Sequence, residues 1–328
     1  MTKIIFLTPF SPDIISGGIK VTYQHAAILA DNGYEVEVYQ PAGKPTWMDI
    51  PANVRVCDNF EAGKEDILVF PEVLKEFILE MAEMPFDGTK VLFCQNPFYL
   101  YSYNKSGEKL LDMGFEHFIV TGREAARSVS SILGVPRVYS VPNSVDTTLF
   151  HPRQKHLCIA TNPGKWPAEG VNSPIYFVIM SMLHLKYPET ADVPWQLLEK
   201  MPQSEIAEIM GHSAIFLALS RQEALPLTPL EAMASRCALV GFHGTGGKDY
   251  ASHRNGYWFS PEQCEEIVDC LAQLISGFRS NAPQPYIEKM LDEAEKTAGQ
   301  YSVAAIRESV LRVYREILDS HNMRVQAG

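Results

Sequence analysis

Ser220-Arg221-Gln222-Glu223-Ala224-Leu225-Pro226-Leu227-Thr228-Pro229-Leu230-Glu231-Ala232-Met233-Ala234 reads as the junction between a buried strand and a helix. The run before it, residues 213–219, is short and apolar, as a fully buried strand is. Thr228, with Glu231 three residues on, reads as a capping box, and Pro229 falls at the first helical position. In open parallel sheets ligands bind beyond the carboxyl ends of strands, beside helix N-termini. Glu223 is therefore expected in a loop at such a crevice, with Glu231 in the first helical turn. Carboxylates placed there can accept hydrogen bonds from sugar or ribose hydroxyls while the helix terminus faces a diphosphate. The plainer reading is a capping glutamate and a solvated loop charge.

Outward from that stretch, strand and helix signals alternate along the whole chain, which predicts an α/β doubly wound protein. In the first half, residues 3–7, 35–39, 67–70, 90–94, 117–120 and 138–141 read as strands. Residues 19–32 and 123–133 read as helices closed by Gly33 and Gly134. In the second half, strands are expected near 156–160, 195–198, 213–219, 238–242 and 257–259. Helices are expected over 171–185, 205–212, 263–276, 285–298 and 303–320. The chain has 328 residues. Single cores stop growing near ~250–300 residues, so two domains are expected.

The net charge is −11, and the first 150 residues hold 12 Lys and Arg against 19 Asp and Glu. Nucleic acid is not an expected partner, since its binding needs a basic surface. Membrane association is not indicated by this acidic balance. No apolar run approaches the ~20 residues of a membrane span, and the N-terminus reads as a first strand rather than a leader, so a cytoplasmic location is expected. The six cysteines form no Cys-x-x-Cys pair and read as reduced structural thiols. The nine histidines show no metal-ligand spacing, so no metal site is expected. His25 and His117 read more simply as satisfied structural histidines than as site groups.

Other stretches at strand ends carry candidate contacts. Ser16-Gly17-Gly18-Ile19 follows the first strand, where glycine lets the backbone approach a ligand closely. It is not a Gly-x-Gly-x-x-Gly fingerprint, so dinucleotide binding is not supported. Gln95-Asn96-Pro97-Phe98-Tyr99 ends another strand; Gln95, Asn96 and Tyr99 suit acceptor-sugar recognition by hydrogen bonds and stacking, and equally an ordinary turn. Gly244-Thr245-Gly246-Gly247-Lys248-Asp249 offers backbone amides to a phosphate or sugar, with Lys248 as a cation. Val141-Pro142-Asn143-Ser144-Val145-Asp146 begins a rigid turn.

The Glu223/Glu231 spacing resembles the Glu-x7-Glu signature of retaining glycosyltransferases of GT-B fold, the glycosyltransferase family 4 group (glycosyl transferases group 1). Ser220, Glu223, Leu227, Glu231, Ala232, Met233 and Ala234 match the usual Ser-x-x-Glu-Gly-Phe-Gly-Leu-x-x-x-Glu-Ala-Met-Ala, while Ala224 and Pro226 replace its glycines. Pro142, Asn143, Val145, Asp146, Phe150 and Pro152 match the family's interdomain connection, with Ser144 in place of Gly. Tyr301-Ser302 and Val313-Tyr314-Arg315 resemble its closing helix. The resemblance spans nearly the whole chain. It implies two Rossmann-like domains facing across a cleft: residues 1–150 on the acceptor side and 151–300 binding the nucleotide sugar, with helix 301–320 packing back on the first.

The resemblance further implies retaining, metal-independent transfer of a sugar from a nucleotide diphospho-sugar to a hydroxyl acceptor, with no cofactor. Lys165, the only cation of the Asn162-Pro163-Gly164-Lys165 loop, would neutralise the departing diphosphate, since the family's Arg is missing. Glu223 would hold the donor sugar, and Glu231 the ribose. Gly17, Gly18, Ala224, Leu225, Leu227, Gly246, Gly247 and Lys248 would line the donor. Pro226 has no N–H, so one family-type amide contact is lost. That departure keeps a rival reading open, a catalytically silent subunit binding a sugar nucleotide or a partner.

Overall fold

The structure is a computed structural model of the chain, and it describes residues 2–8, 10–163, 174–280 and 284–327. It comprises two parallel-sheet α/β units. One is Met1–Ser144 together with Ile306–Gly328, and the other is Val145–Ala305.

The first unit holds seven parallel strands: β1 (Lys3–Leu7), β2 (Glu35–Tyr39), β3 (Arg55–Cys57), β4 (Ile67–Pro71), β5 (Thr89–Cys94), β6 (Phe115–Val120) and β7 (Val138–Ser140). Their order is β3-β2-β1-β4-β5-β6-β7. The helices are α1 (Gly17–Ala30), α2 (Glu76–Glu83), α3 (Pro97–Ser102), α4 (Gly107–Asp112) and α5 (Arg123–Leu133). Strands covered by helices on both faces read as continuous apolar runs. Ile4, Ile5, Phe6 and Leu7 of β1 and Val91, Leu92, Phe93 and Cys94 of β5 are accordingly buried.

The second unit holds β8 (His156–Thr161), α6 (Ile175–Lys186), β9 (Trp195–Leu197), α7 (Gln203–His212), β10 (Ser213–Ser220), α8 (Leu227–Ala234), β11 (Ala238–His243), β12 (Tyr257–Phe259), α9 (Cys264–Arg279) and α10 (Pro285–Gln300). Its parallel sheet runs β12-β11-β10-β8-β9. Every residue of β10 is buried, as expected of the central strand. A final helix, α11 (Val303–Ala327), begins in this unit and ends in the first. Val145 and Phe150 of the connecting turn lie in the core of the second unit, and Val145 pairs with Tyr301 and Val303 through backbone hydrogen bonds.

Two sheet orders decide where function can sit. The strand order reverses between β1 and β4 in one sheet and between β8 and β10 in the other. Crevices for ligands open outside the carboxyl ends of strands at such switch points. The loops there are the one leading to Ser16, the one at Glu72, the one after Thr161, and the one from Arg221 to Pro226.

One local expectation is corrected. Thr228 does not cap α8. The helix begins at Leu227, and the residue in the capping position is Pro226 at φ −59°, which makes no side-chain cap hydrogen bond. Pro226 fixes its own φ one residue before the helix, so the chain enters the helical turn earlier than the threonine. Pro229 then lies within the first turn, where a missing N–H leaves no intrahelical bond broken.

Candidate active site

In the second unit the loop after β10 is held by the loop after β11. The Thr245 N–H donates to the Arg221 carbonyl and the Gly246 N–H to the Glu223 carbonyl, each at 2.9 Å. Gly244 takes φ +64°, and a Cβ there would stand 2.5 Å from the Arg221 oxygen. A Cβ on Gly246 would stand 1.7 Å from the Ala224 oxygen. Only residues without a side chain let these two loops approach so closely. The amides of Thr245 and Gly246 thereby fix the main chain around Glu223. Gly247 is buried and Lys248 exposed in the short 3-10 turn Gly246–Asp249.

Tyr250, which no motif in the sequence marks, completes the lacing. Its hydroxyl donates to the Pro226 carbonyl at 3.0 Å, just where α8 begins. Its ring meets Trp258 and Tyr301 edge-on, at centroid distances of 6.2 and 6.0 Å. Burial pushes its phenol well above the usual tyrosine range, and the neighbouring Glu223 carboxylate pushes the same way. The phenol is thus a permanent donor.

Glu223 is half-buried in the loop. Glu231 lies in α8 and is 8% exposed. A carboxylate that deep is kept only where polar partners meet it. Ala224 and Leu225 are buried, Leu225 within the core, so what they can offer a ligand is main chain. Leu227 is half-buried at the start of α8. Lys165 lies outside the described residues, whereas Asn162, just before it, is exposed.

In the first unit Ser16 caps α1, accepting from the Gly18 N–H at 3.2 Å, so Gly17 and Gly18 form the first turn. The Gln95 amide nitrogen donates to the Gly18 carbonyl and to the Thr22 hydroxyl, both at 3.0 Å. Gln95 and Gly18, far apart in sequence, are thereby brought together. Asn96 is buried and caps α3, its side chain accepting from the Phe98 N–H at 3.2 Å. Tyr99 is exposed on α3. The Asn96 N–H itself donates to the Glu72 carboxylate at 2.9 Å. Glu72 is buried directly beyond β4, and burial pushes its carboxyl up to about 7, against the pull of the Glu72, Gln95 and Asn96 amides. The only signal for it in the sequence is a lone acid ending the apolar run Ile67–Pro71.

The two histidines considered earlier sit elsewhere. His25 stacks on Phe93 at 4.6 Å in the core, and burial lowers it to about 3. His117 meets the Tyr139 hydroxyl at 3.1 Å and is lowered to about 4 by burial and by Arg137 and Arg324. Among the described residues no three His, Cys, Asp or Glu side chains gather so as to hold a metal ion. Also among them, no helix is long and apolar enough to cross a membrane.

Two parallel-sheet units of this kind define a GT-B architecture, and the comparisons agree. Residues 195–289 match the family described as Glycosyl transferases group 1, a span that contains Glu223, Glu231 and the glycine loop. Over 268 residues the chain is 25% identical to the alpha-1,6-glucosyltransferase of Actinobacillus pleuropneumoniae serotype 7 (strain AP76), covering 80% of this chain and 78% of that protein. Its fold is similar to sucrose-phosphate synthase from Thermosynechococcus elongatus, with a TM-score of 0.70, 10% identity, and 98% and 100% of the two chains covered. It is also similar to Anabaena Alr3699/HepE in complex with UDP, with a TM-score of 0.63, 11% identity, and 96% and 100% covered.

Proposed function

We propose that the protein is a retaining, metal-independent glycosyltransferase that moves a sugar from a nucleotide diphospho-sugar to a hydroxyl acceptor. The observation that carries this reading is the cradle around Glu223. Two loops at the strand ends beside the β8/β10 switch point are fixed to each other through Gly246 and Glu223, within the stretch matching the group 1 family. The names of the similar proteins, a glucosyltransferase and a complex with UDP, support a nucleotide-sugar donor.

In this reading Glu231 accepts hydrogen bonds from the ribose, and Glu223 from the donor sugar as positive charge develops at its anomeric carbon. The first turn of α8 supplies N–H groups to the diphosphate as it takes on negative charge. Lys165 and Lys248 add positive charge to the same leaving group. Gln95, Asn96 and Tyr99 meet the acceptor side. The reduced cysteines suit a cytoplasmic location.

Incubation with UDP-, GDP-, ADP- and TDP-sugars, read by mass spectrometry for transfer or hydrolysis, tests this. Turnover of one donor, lost in Glu223→Gln, is the expected result. Nucleotide binding without turnover of any donor would favour the second reading, a catalytically silent sugar-nucleotide- or partner-binding subunit. Pro226 favours that reading, because it replaces a glycine N–H with none.

A further inference from the structure

At the other switch point, between β1 and β4, a buried carboxylate stands where no sequence motif asked for one. Glu72 is 5% exposed, and its oxygen accepts the Asn96 N–H at 2.9 Å. The neighbouring Gln95 side chain reaches the opposite way, to the Gly18 carbonyl and the Thr22 hydroxyl in the opening turns of α1. Three strand ends are thereby tied in series: Glu72 beyond β4, Gln95-Asn96 beyond β5, and Gly18 on the helix that follows β1. Burying a carboxylate costs free energy unless something uses it. An amide or apolar residue could hold a merely structural turn at lower cost.

We propose that Glu72 is a positioning residue: its carboxylate fixes the Gln95-Asn96 turn, and through Gln95 it sets the geometry of the α1 N-terminal turn that faces the ligand. The role in transfer rests on the proposed function; the mechanical link does not. Because Glu72 changes charge near neutral pH, the grip on Asn96 strengthens as pH rises through that range. The titratable groups that face it are the Cys94 thiol on β5 and the Tyr103 phenol beyond α3. Both are pushed above their ordinary values, chiefly by burial, so neither titrates alongside it.

Amide NMR of the full chain between pH 5.5 and 8.5 tests the link without any substrate. In the wild type the Asn96 amide and the Ile19 amide, which shares its peptide plane with the Gly18 carbonyl that Gln95 bonds, should shift with one midpoint near 7. Glu72→Gln should flatten both, and Gln95→Ala should flatten Ile19 while Asn96 still titrates. An Ile19 amide that does not titrate, or that titrates unchanged in either variant, overturns the inference. Once a donor is in hand, kcat/KM should rise as pH passes 7 in the wild type and lose that limb in Glu72→Gln; an unchanged limb overturns the role in transfer. A protein that shows the titration yet turns over no sugar loses only the functional reading.

Discussion

The Gly246 N–H donates to the main-chain carbonyl of Glu223 at 2.9 Å, and a Cβ on Gly246 would fall 1.7 Å from the Ala224 oxygen. The glycine loop therefore first serves the protein itself, by fixing the main chain on either side of the Glu223 carboxylate. Catalysis by electrostatic complementarity depends on such groups being in place before the charge develops.

Gly246→Ala should push the two loops apart. A clash with backbone cannot be relieved by a rotamer change, so a loss of about 1–3 kcal/mol is expected in thermal or denaturant unfolding. At Gly247 the nearest atom to an added Cβ is the His243 Cβ at 3.2 Å, so Gly247→Ala should cost clearly less. Equal losses at the two positions would contradict the assignment.

Tyr250→Phe removes the hydrogen bond to the Pro226 carbonyl at 3.0 Å. The expected loss is about 0.5–1.5 kcal/mol of stability, the net range for one intramolecular hydrogen bond. A melting temperature equal to that of the wild type would show that the tyrosine does not hold the entry to α8.

Thr228→Ala separates the observed helix start from the one the sequence suggests. A true capping threonine would cost about 1 kcal/mol on removal. Because α8 begins at Leu227 with Pro226, not Thr228, in the capping position, less than about half of that is expected from paired unfolding curves.

The doubly wound class was legible because β1, β5, β8 and β10 are short continuous apolar runs separated by helical patterns, a signal that depends on burial alone. The Glu223/Glu231 loop was legible as a motif at a strand end. The six-residue α3 and α4 were not, since they are too short to establish a helical period, and neither was β3, a three-residue edge strand. Thr228 misled because a local cap pattern competed with a proline that fixes its own φ. Glu72, Tyr250 and the Gln95–Gly18 contact were invisible for a different reason: each acts on a partner distant in sequence, and no spacing rule registers that.

Two buried groups give stability opposite pH dependences. The Glu72 carboxyl rises from its ordinary 4.5 to about 7, so the unfolded chain ionises first and stability falls as pH rises from 4.5 to 7. Glu72→Gln should thus stabilise the protein at pH 8, by on the order of 3 kcal/mol, and hardly at pH 4. His25 falls from 6.5 to about 3, so its contribution is complete above 6.5 and is lost as pH falls toward 3. His25→Phe should blunt that acid loss. Guanidinium unfolding at pH 4, 6 and 8 reads both; destabilisation of Glu72→Gln at pH 8 would contradict the first.

Calorimetric titration of the wild type and Glu231→Gln with UDP, GDP, ADP and TDP tests the central claim most directly. One nucleotide should bind the wild type with submillimolar Kd and bind Glu231→Gln at least about tenfold more weakly, a difference of ~1.4 kcal/mol, with both proteins equally folded. Absence of binding by all four at millimolar concentration, or equal binding by both proteins, would contradict the assignment of this site to a nucleotide diphospho-sugar.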